Sequence, residues 1–141
     1  MRAYVLLAIS LMLPALCDAA VPAEAPLYVR LGGEQKMTLV VSELIDHSAT
    51  DPRTKRSFDG VDIPRVKKLL VEQICELAGG GCTYSGDNMH DVHAGLGIDQ
   101  SEFYGLVEVL RESMRKHGIP LRERNELLAI LAPMKRDVVE R

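Results

Sequence analysis

Gly79-Gly80-Gly81-Cys82-Thr83-Tyr84-Ser85-Gly86-Asp87-Asn88-Met89-His90-Asp91-Val92-His93-Ala94-Gly95-Leu96-Gly97 interrupts an otherwise helical chain. Three glycines end the apolar periodicity that precedes it. Cys82 to Asn88 carries no period at all, Met89 to His93 has room for barely more than one helical turn, and Gly95 and Gly97 stop that turn. Nearly twenty residues with little regular structure are uncommon inside a compact domain unless they serve a function. This stretch holds His90 and His93, two of the four histidines of the chain.

On either side of it the punctuation predicts helices. After Gly32-Gly33, the residues Met37, Val40, Val41, Leu44 and Ile45 recur at helical spacing between Glu34 and Ser48. Asp51-Pro52 resembles an N-cap followed by proline, opening a short turn that ends near Phe58-Asp59-Gly60. Asp62 and Pro64 repeat that signal, and Ile63, Val66, Leu69, Leu70, Ile74 and Leu77 keep a three-and-four rhythm up to the glycines. Beyond the loop, Asp99 with Glu102 reads as a capping box ahead of Phe103, Leu106, Val107, Leu110 and Met114. Gly118 closes that helix, and Pro120 opens a last one whose apolar stripe runs from Leu121 through Leu131 and Met134 to Val138. No segment alternates with a two-residue period. The expectation is an all-α domain of four substantial helices closing on one core.

The 141 residues are 47% hydrophobic and 26% charged, which suits one globular domain. Seventeen basic against twenty acidic side chains leave a net charge of −3, without the basic cluster a nucleic-acid surface requires. Met1-Arg2 followed by the apolar run Ala3 to Leu16 reads as a secretory signal rather than a membrane anchor, because about 20 apolar residues are needed to span a bilayer. Small residues permit cleavage after Ala19 or Ala23, so residues 1–23 are expected to leave (end between 19 and 25) and 24–141 to form the domain, exported to a periplasm or beyond. Cys17 leaves with the signal. Cys75 and Cys82 then remain as an even pair in an oxidising compartment, where the glycines let the chain fold back far enough for a disulfide; the alternative is two buried free thiols.

A histidine on a loop-anchored turn, such as His93 after Val92 and Met89, can offer Nε2 to a metal. His90 lies three residues earlier, but zinc needs a third and usually a fourth ligand, and no matching cluster is evident. On spacing alone both histidines read as surface or helix-terminal residues.

From Leu27 to Arg141 the chain resembles the group 1 truncated haemoglobins. The motifs are Leu27-Tyr28-x-Arg30-Leu31-Gly32-Gly33, Asp51-Pro52-Arg53 with Phe58, Gly79-Gly80-x-Cys82-x-Tyr84-x-Gly86, and Met89-x-x-Val92-His93-x-Gly95-x-Gly97-Ile98. The resemblance implies a shortened globin with helix pairs stacked two over two, a loop in place of most of one globin helix, and one non-covalent haem b. His93 matches the proximal iron ligand. Phe58 matches the aromatic at the corner before the long third-pattern helix, where a ring can stack on the porphyrin. Met89, Val92, Ile98, Phe103 and Leu131 fall where the family lines the haem slot, and Tyr84, Arg65, Lys67 and Lys68 are candidates for the propionates.

Where many relatives place a Tyr and a Gln that hydrogen-bond the gas ligand, this chain aligns Ile45 and Leu70, with Val66 at the third distal position. Gln73, where relatives often carry an aromatic, is the one nearby polar side chain able to compensate in part. With no distal histidine, and with His47 and His117 read as surface residues, a five-coordinate ferrous iron is expected. The resemblance licenses two functions: reversible binding of O₂, CO or NO as carrier, scavenger or sensor, or an enzyme such as an NO dioxygenase. The second would need an external electron donor, since the chain has no flavin or nicotinamide motif. A third alternative is an exported helical protein without haem.

Overall fold

The computed structural model describes Pro22 and residues 24–141. The expected signal sequence and its cleavage sites at Ala19 and Ala23 lie outside the described residues. Seven α-helices follow in order: α1 (Leu27–Arg30), α2 (Gly33–Ser48), α3 (Ile63–Leu77), α4 (Met89–His93), α5 (Gln100–Lys116), α6 (Leu121–Leu131) and α7 (Lys135–Val138). Short 3₁₀ turns occupy Lys55–Phe58 and Ala132–Met134. Among the described residues there is no strand, and no helix is long and apolar enough to cross a membrane.

The helix starts follow side-chain chemistry. Asp62 accepts a hydrogen bond from the Arg65 amide at 3.1 Å to cap α3, and Asn88 accepts from the Asp91 amide at 2.9 Å to cap α4. Asp99 and Glu102 form the full reciprocal box at the start of α5. These bonds satisfy amides that the first helical turn cannot pair internally.

Helices α2 and α3 make one layer, α5 and α6 the other, and α2 crosses α5 between them. Met37, Val40, Val41, Leu44 and Ile45 are all buried, so the whole predicted stripe of α2 enters the core with Ile74, Met114 and Leu127. At the buried crossing the Ser113 hydroxyl donates to the Val40 carbonyl at 3.0 Å, which satisfies a polar group of α5 on that seam. Short α1 is held to α6 by Arg30, whose guanidinium reaches Glu123 at 2.9 Å and both oxygens of Glu126 at 2.7 Å.

Two details depart from the sequence expectation. The stripe read as one final helix is broken at Pro133, where a 3₁₀ turn separates α6 from α7, because proline lacks the amide that would continue the ladder. Leu77 and Leu121, counted in apolar stripes, are exposed; each sits at a helix end, beyond the neighbouring layer.

Candidate functional site: an apolar cavity with one imidazole in its wall

Between the two layers lies a cavity of about 870 Å³, lined mostly by aliphatic and aromatic side chains. That volume is at the upper end of the range for small-molecule and cofactor sites. Ile45 on α2 and Val66, Leu70 and Gln73 on α3 contribute one wall. Met89, Val92 and His93 on α4, Ile98 in the loop after it, and Phe103 on α5 contribute to the other. Phe58, at the end of the 3₁₀ turn, and Leu131, the last residue of α6, join them.

His93 is half-buried, and its Nδ1 lies 2.7 Å from the Met89 carbonyl oxygen. A carbonyl can only accept, so Nδ1 must carry the proton and donate. The ring is therefore held as the tautomer whose Nε2 lone pair is free, on a residue of the cavity wall. This is the arrangement in which a histidine is oriented to bind a metal. His90, by contrast, is exposed and pairs with Asp91 at 3.2 Å. No group of three or more His, Cys, Asp or Glu side chains comes together among the described residues. His47 is exposed, whereas His117 sits deeper than a surface reading implies, 2.8 Å from Glu43.

The α2/α3 wall offers few polar groups. Ile45, Val66 and Leu70 have no donor, and Gln73, only 8% exposed, has no hydrogen-bond partner among the described residues. Arg65 and Tyr84 both line the cavity edge. The Tyr84 hydroxyl donates to the Asp87 carbonyl at 3.0 Å. Burial pushes the Tyr84 hydroxyl pKa up, as do Asp87 and Glu72, with Arg65 opposing them. Lys67 and Lys68 do not line the cavity. Lys67 turns to Asp46 at 2.7 Å and Ser42 at 3.0 Å, and Lys68 lies 3.6 Å from Glu72, in a separate groove between α2 and α3. Lys67 projects to the opposite side of α3 from Arg65, and Lys68 is drawn to Glu72 one turn further on, so the run of cations is split between two places.

A disulfide joins Cys75 on α3 to Cys82, with Cα atoms 5.7 Å apart. The return of the chain brings the Gly80 amide to within 2.7 Å of the Cys75 carbonyl, and any side chain at Gly80 would collide with Cys75 and Tyr28. Glu76 accepts from the Tyr84 amide at 3.1 Å, and Glu72 from the Ser85 hydroxyl at 2.6 Å, so the irregular segment is pinned along α3.

Sequence reading treated Glu102 only as a cap. In the structure it is 7% exposed, lines the cavity, and accepts from Arg56 at 2.6 Å, Ser57 at 2.9 Å and the Asp99 amide at 3.0 Å. Burial raises its pKa, but the Asp99 amide, Ser57 and Arg56 more than offset that, and the net direction is down. The carboxylate thus ties the 3₁₀ turn before α3 to the start of α5. Arg56 also donates to the carbonyls of Leu96 at 2.9 Å and Gly97 at 3.2 Å. No pattern within fifteen residues of Arg56 signals that contact.

A two-over-two helical domain with an oriented imidazole in an apolar interlayer cavity has the architecture of a truncated globin. A model of the bacterial-like globin family matches residues 26–140, and the chain belongs to that family, in its group 1 truncated branch. It is 28% identical over 114 residues to the group 1 truncated hemoglobin GlbN of Mycolicibacterium paratuberculosis, covering 81% of this chain and 84% of that protein. It is 30% identical over 109 residues to the corresponding GlbN of Nostoc sp. (strain MUN 8820), covering 77% and 92%. The Fe(III) form of truncated hemoglobin from Tetrahymena pyriformis superposes with a TM-score of 0.77 at 25% identity, over 82% of this chain and 98% of that one. The 2/2 hemoglobin of Synechococcus sp. PCC 7002, whose structure carries covalently attached heme, shares the fold with a TM-score of 0.76 at 23% identity, over 83% and 100%.

Proposed function

We propose that this protein binds one non-covalent haem b in the interlayer cavity and reversibly binds a diatomic gas, O₂, NO or CO, on the α2/α3 side. The observation that carries this reading is the Met89 carbonyl on His93 Nδ1, which leaves Nε2 free in the wall of a large apolar cavity. The residues present fit the group. A neutral imidazole suits iron, Phe58 and the aliphatic walls suit a porphyrin face, and Arg65 with Tyr84 suit the carboxylates at its edge. Bound there, haem would supply an iron able to take up a diatomic gas.

The side chains around that position do the rest. Ile45, Val66 and Leu70 exclude water and donate nothing, so the pocket favours small apolar ligands and gives a polar one no charge-assisted hydrogen bond. Among the described residues three carboxylates line the cavity: Asp62, which caps α3, Asp87, and Glu102, which is tied to Arg56; none of them stands at the Ile45, Val66 or Leu70 positions around the gas. That favours gas binding over peroxide chemistry, which needs a distal acid and base.

The test is an absorption spectrum of the purified protein with added haem, for wild type and His93→Ala. A Soret band in the wild type that is lost or strongly shifted in the variant supports the reading. A wild type without the band, or a variant with the same band, overturns it. We also infer export, with removal of residues 1–23, which the disulfide in an otherwise small domain supports. Mass spectrometry of the mature N-terminus from a periplasmic fraction tests it; an intact Met1 in that fraction overturns it.

A further inference from the structure

His93 ends a helix of five residues, too short to hold its own conformation. The four residues after it cross two left-handed glycines, Gly95 at φ 80° and Gly97 at φ 60°, a path that frees backbone amides from any helical partner. Those amides converge. Gly95 N–H donates to Glu140 Oε1 at 2.5 Å and Gly97 N–H to Glu140 Oε2 at 2.6 Å, so a single carboxylate fills an amide nest of the kind that binds anions. The same tail returns further bonds: the Glu140 and Arg141 amides donate to the Ile98 carbonyl at 2.9 and 3.4 Å, and Arg141 Nε and Nη2 to the Gly97 carbonyl at 3.1 and 2.5 Å. Arg56 holds the opposite side through the Leu96 and Gly97 carbonyls. Chain termini are ordinarily frayed unless tied down. Here the last two residues make the tie, forty-odd positions from the loop they grip, and α7 packs directly on α4.

We infer that Glu140, assisted by Arg141, is a positioning residue for His93: its carboxylate in the Gly95/Gly97 nest sets where the imidazole-bearing turn stands against the cavity. The role rests on the haem reading above, since a fixed imidazole matters only if it ligates. Glu140 touches neither the imidazole nor the Met89 carbonyl. It acts through the loop alone.

The experiment compares wild type, Glu140→Ala and Glu140→Gln. Amide hydrogen exchange of the haem-free proteins reads the nest, transfer of haem to an excess of acceptor apoglobin reads retention, and the iron–imidazole stretching band of the ferrous proteins reads the strain on the ligand. In Glu140→Ala the Gly95 and Gly97 amides should exchange faster and haem loss should rise, by less than the roughly tenfold expected for losing a direct partner of a metal ligand. The stretching band should shift, and Glu140→Gln, which keeps an acceptor oxygen, should fall between. A general loss of stability would lower the thermal midpoint of the haem-free protein without moving that band. Unchanged exchange at Gly95 and Gly97 in Glu140→Ala overturns the inference, as does haem loss and a stretching band equal to wild type. A wild type that takes up no haem overturns the haem reading and this inference with it; a wild type that does, with an indifferent Glu140→Ala, overturns the inference alone.

Discussion

The two walls of the cavity are built on opposite plans. The α2/α3 wall is regular helix, its shape set by aliphatic packing of Ile45, Val66 and Leu70 against a buried core. The His93 wall is a single turn and a glycine loop, its shape set by hydrogen bonds that Arg56, itself held by Glu102, and Arg141 donate to its carbonyls and that Glu140 accepts from its amides. Packing of long helices tolerates exchange of one apolar side chain for another, because many weak contacts share the work. A loop held by a few charged ties does not share it, and loss of one tie frees the segment. The contrast separates two properties of a gas-binding protein. On the proposed reading, ligand retention would be governed by the first wall and cofactor retention by the second.

Giving the apolar wall a donor should have the largest effect. Ile45→Tyr supplies a hydroxyl where the chain has none, and a hydrogen bond to a charged acceptor is worth about 1.5–3 kcal/mol, so O₂ release should slow by roughly tenfold to a hundredfold. Stopped-flow displacement of O₂ by CO measures it. An unchanged rate would mean that Ile45 does not face the ligand.

Next comes the tie between the walls. Replacing Cys75 and Cys82 by serine opens the link from α3 to the loop that leads to His93, and should lower stability by about 2–3 kcal/mol, as expected for a short closed loop. Urea unfolding of the variant and of the oxidised wild type gives the difference. Glu102→Gln should cost less, about 1–2 kcal/mol, by replacing a carboxylate that accepts from Arg56, Ser57 and the Asp99 amide. Because those donors hold the Phe58 corner against α5, the same variant should also release haem faster than wild type in a transfer assay.

The smallest effect lies at the corner between α2 and the 3₁₀ turn. The Arg53 guanidinium, and then its backbone amide, hold the Asp51 carboxyl at about 2. That value lies below the usual carboxylate range, so the stabilisation is complete above about pH 4 and is lost as pH falls toward 2. Thermal midpoints measured across that window should fall more for wild type than for Asp51→Asn, with the two curves parallel above pH 5.

Much of this was legible residue by residue. Helix starts at Asp62 and Asp99 depend on bonds spanning two or three positions, and the α2 stripe depends on a period of a few residues, so local spacing carries both. The glycine-bounded loop and its histidine stood out for the same reason. The break at Pro133 was equally local, and the continuity of the apolar stripe concealed it. The split of Arg65 from Lys67 and Lys68 is different, because each lysine goes to the carboxylate that the fold puts within its reach, Asp46 on α2 and Glu72 on α3.

Periodicity, capping and the histidine-bearing loop belong to short stretches of chain, where the backbone's own geometry links cause and effect. The ties that fix His93 do not. Arg56 meets Leu96 across 40 positions and Glu140 meets Gly95 across 45, and nothing in the local chemistry of either partner names the other. Folding of the two helical layers brings these groups within bonding distance, so the precision of the site was decided there.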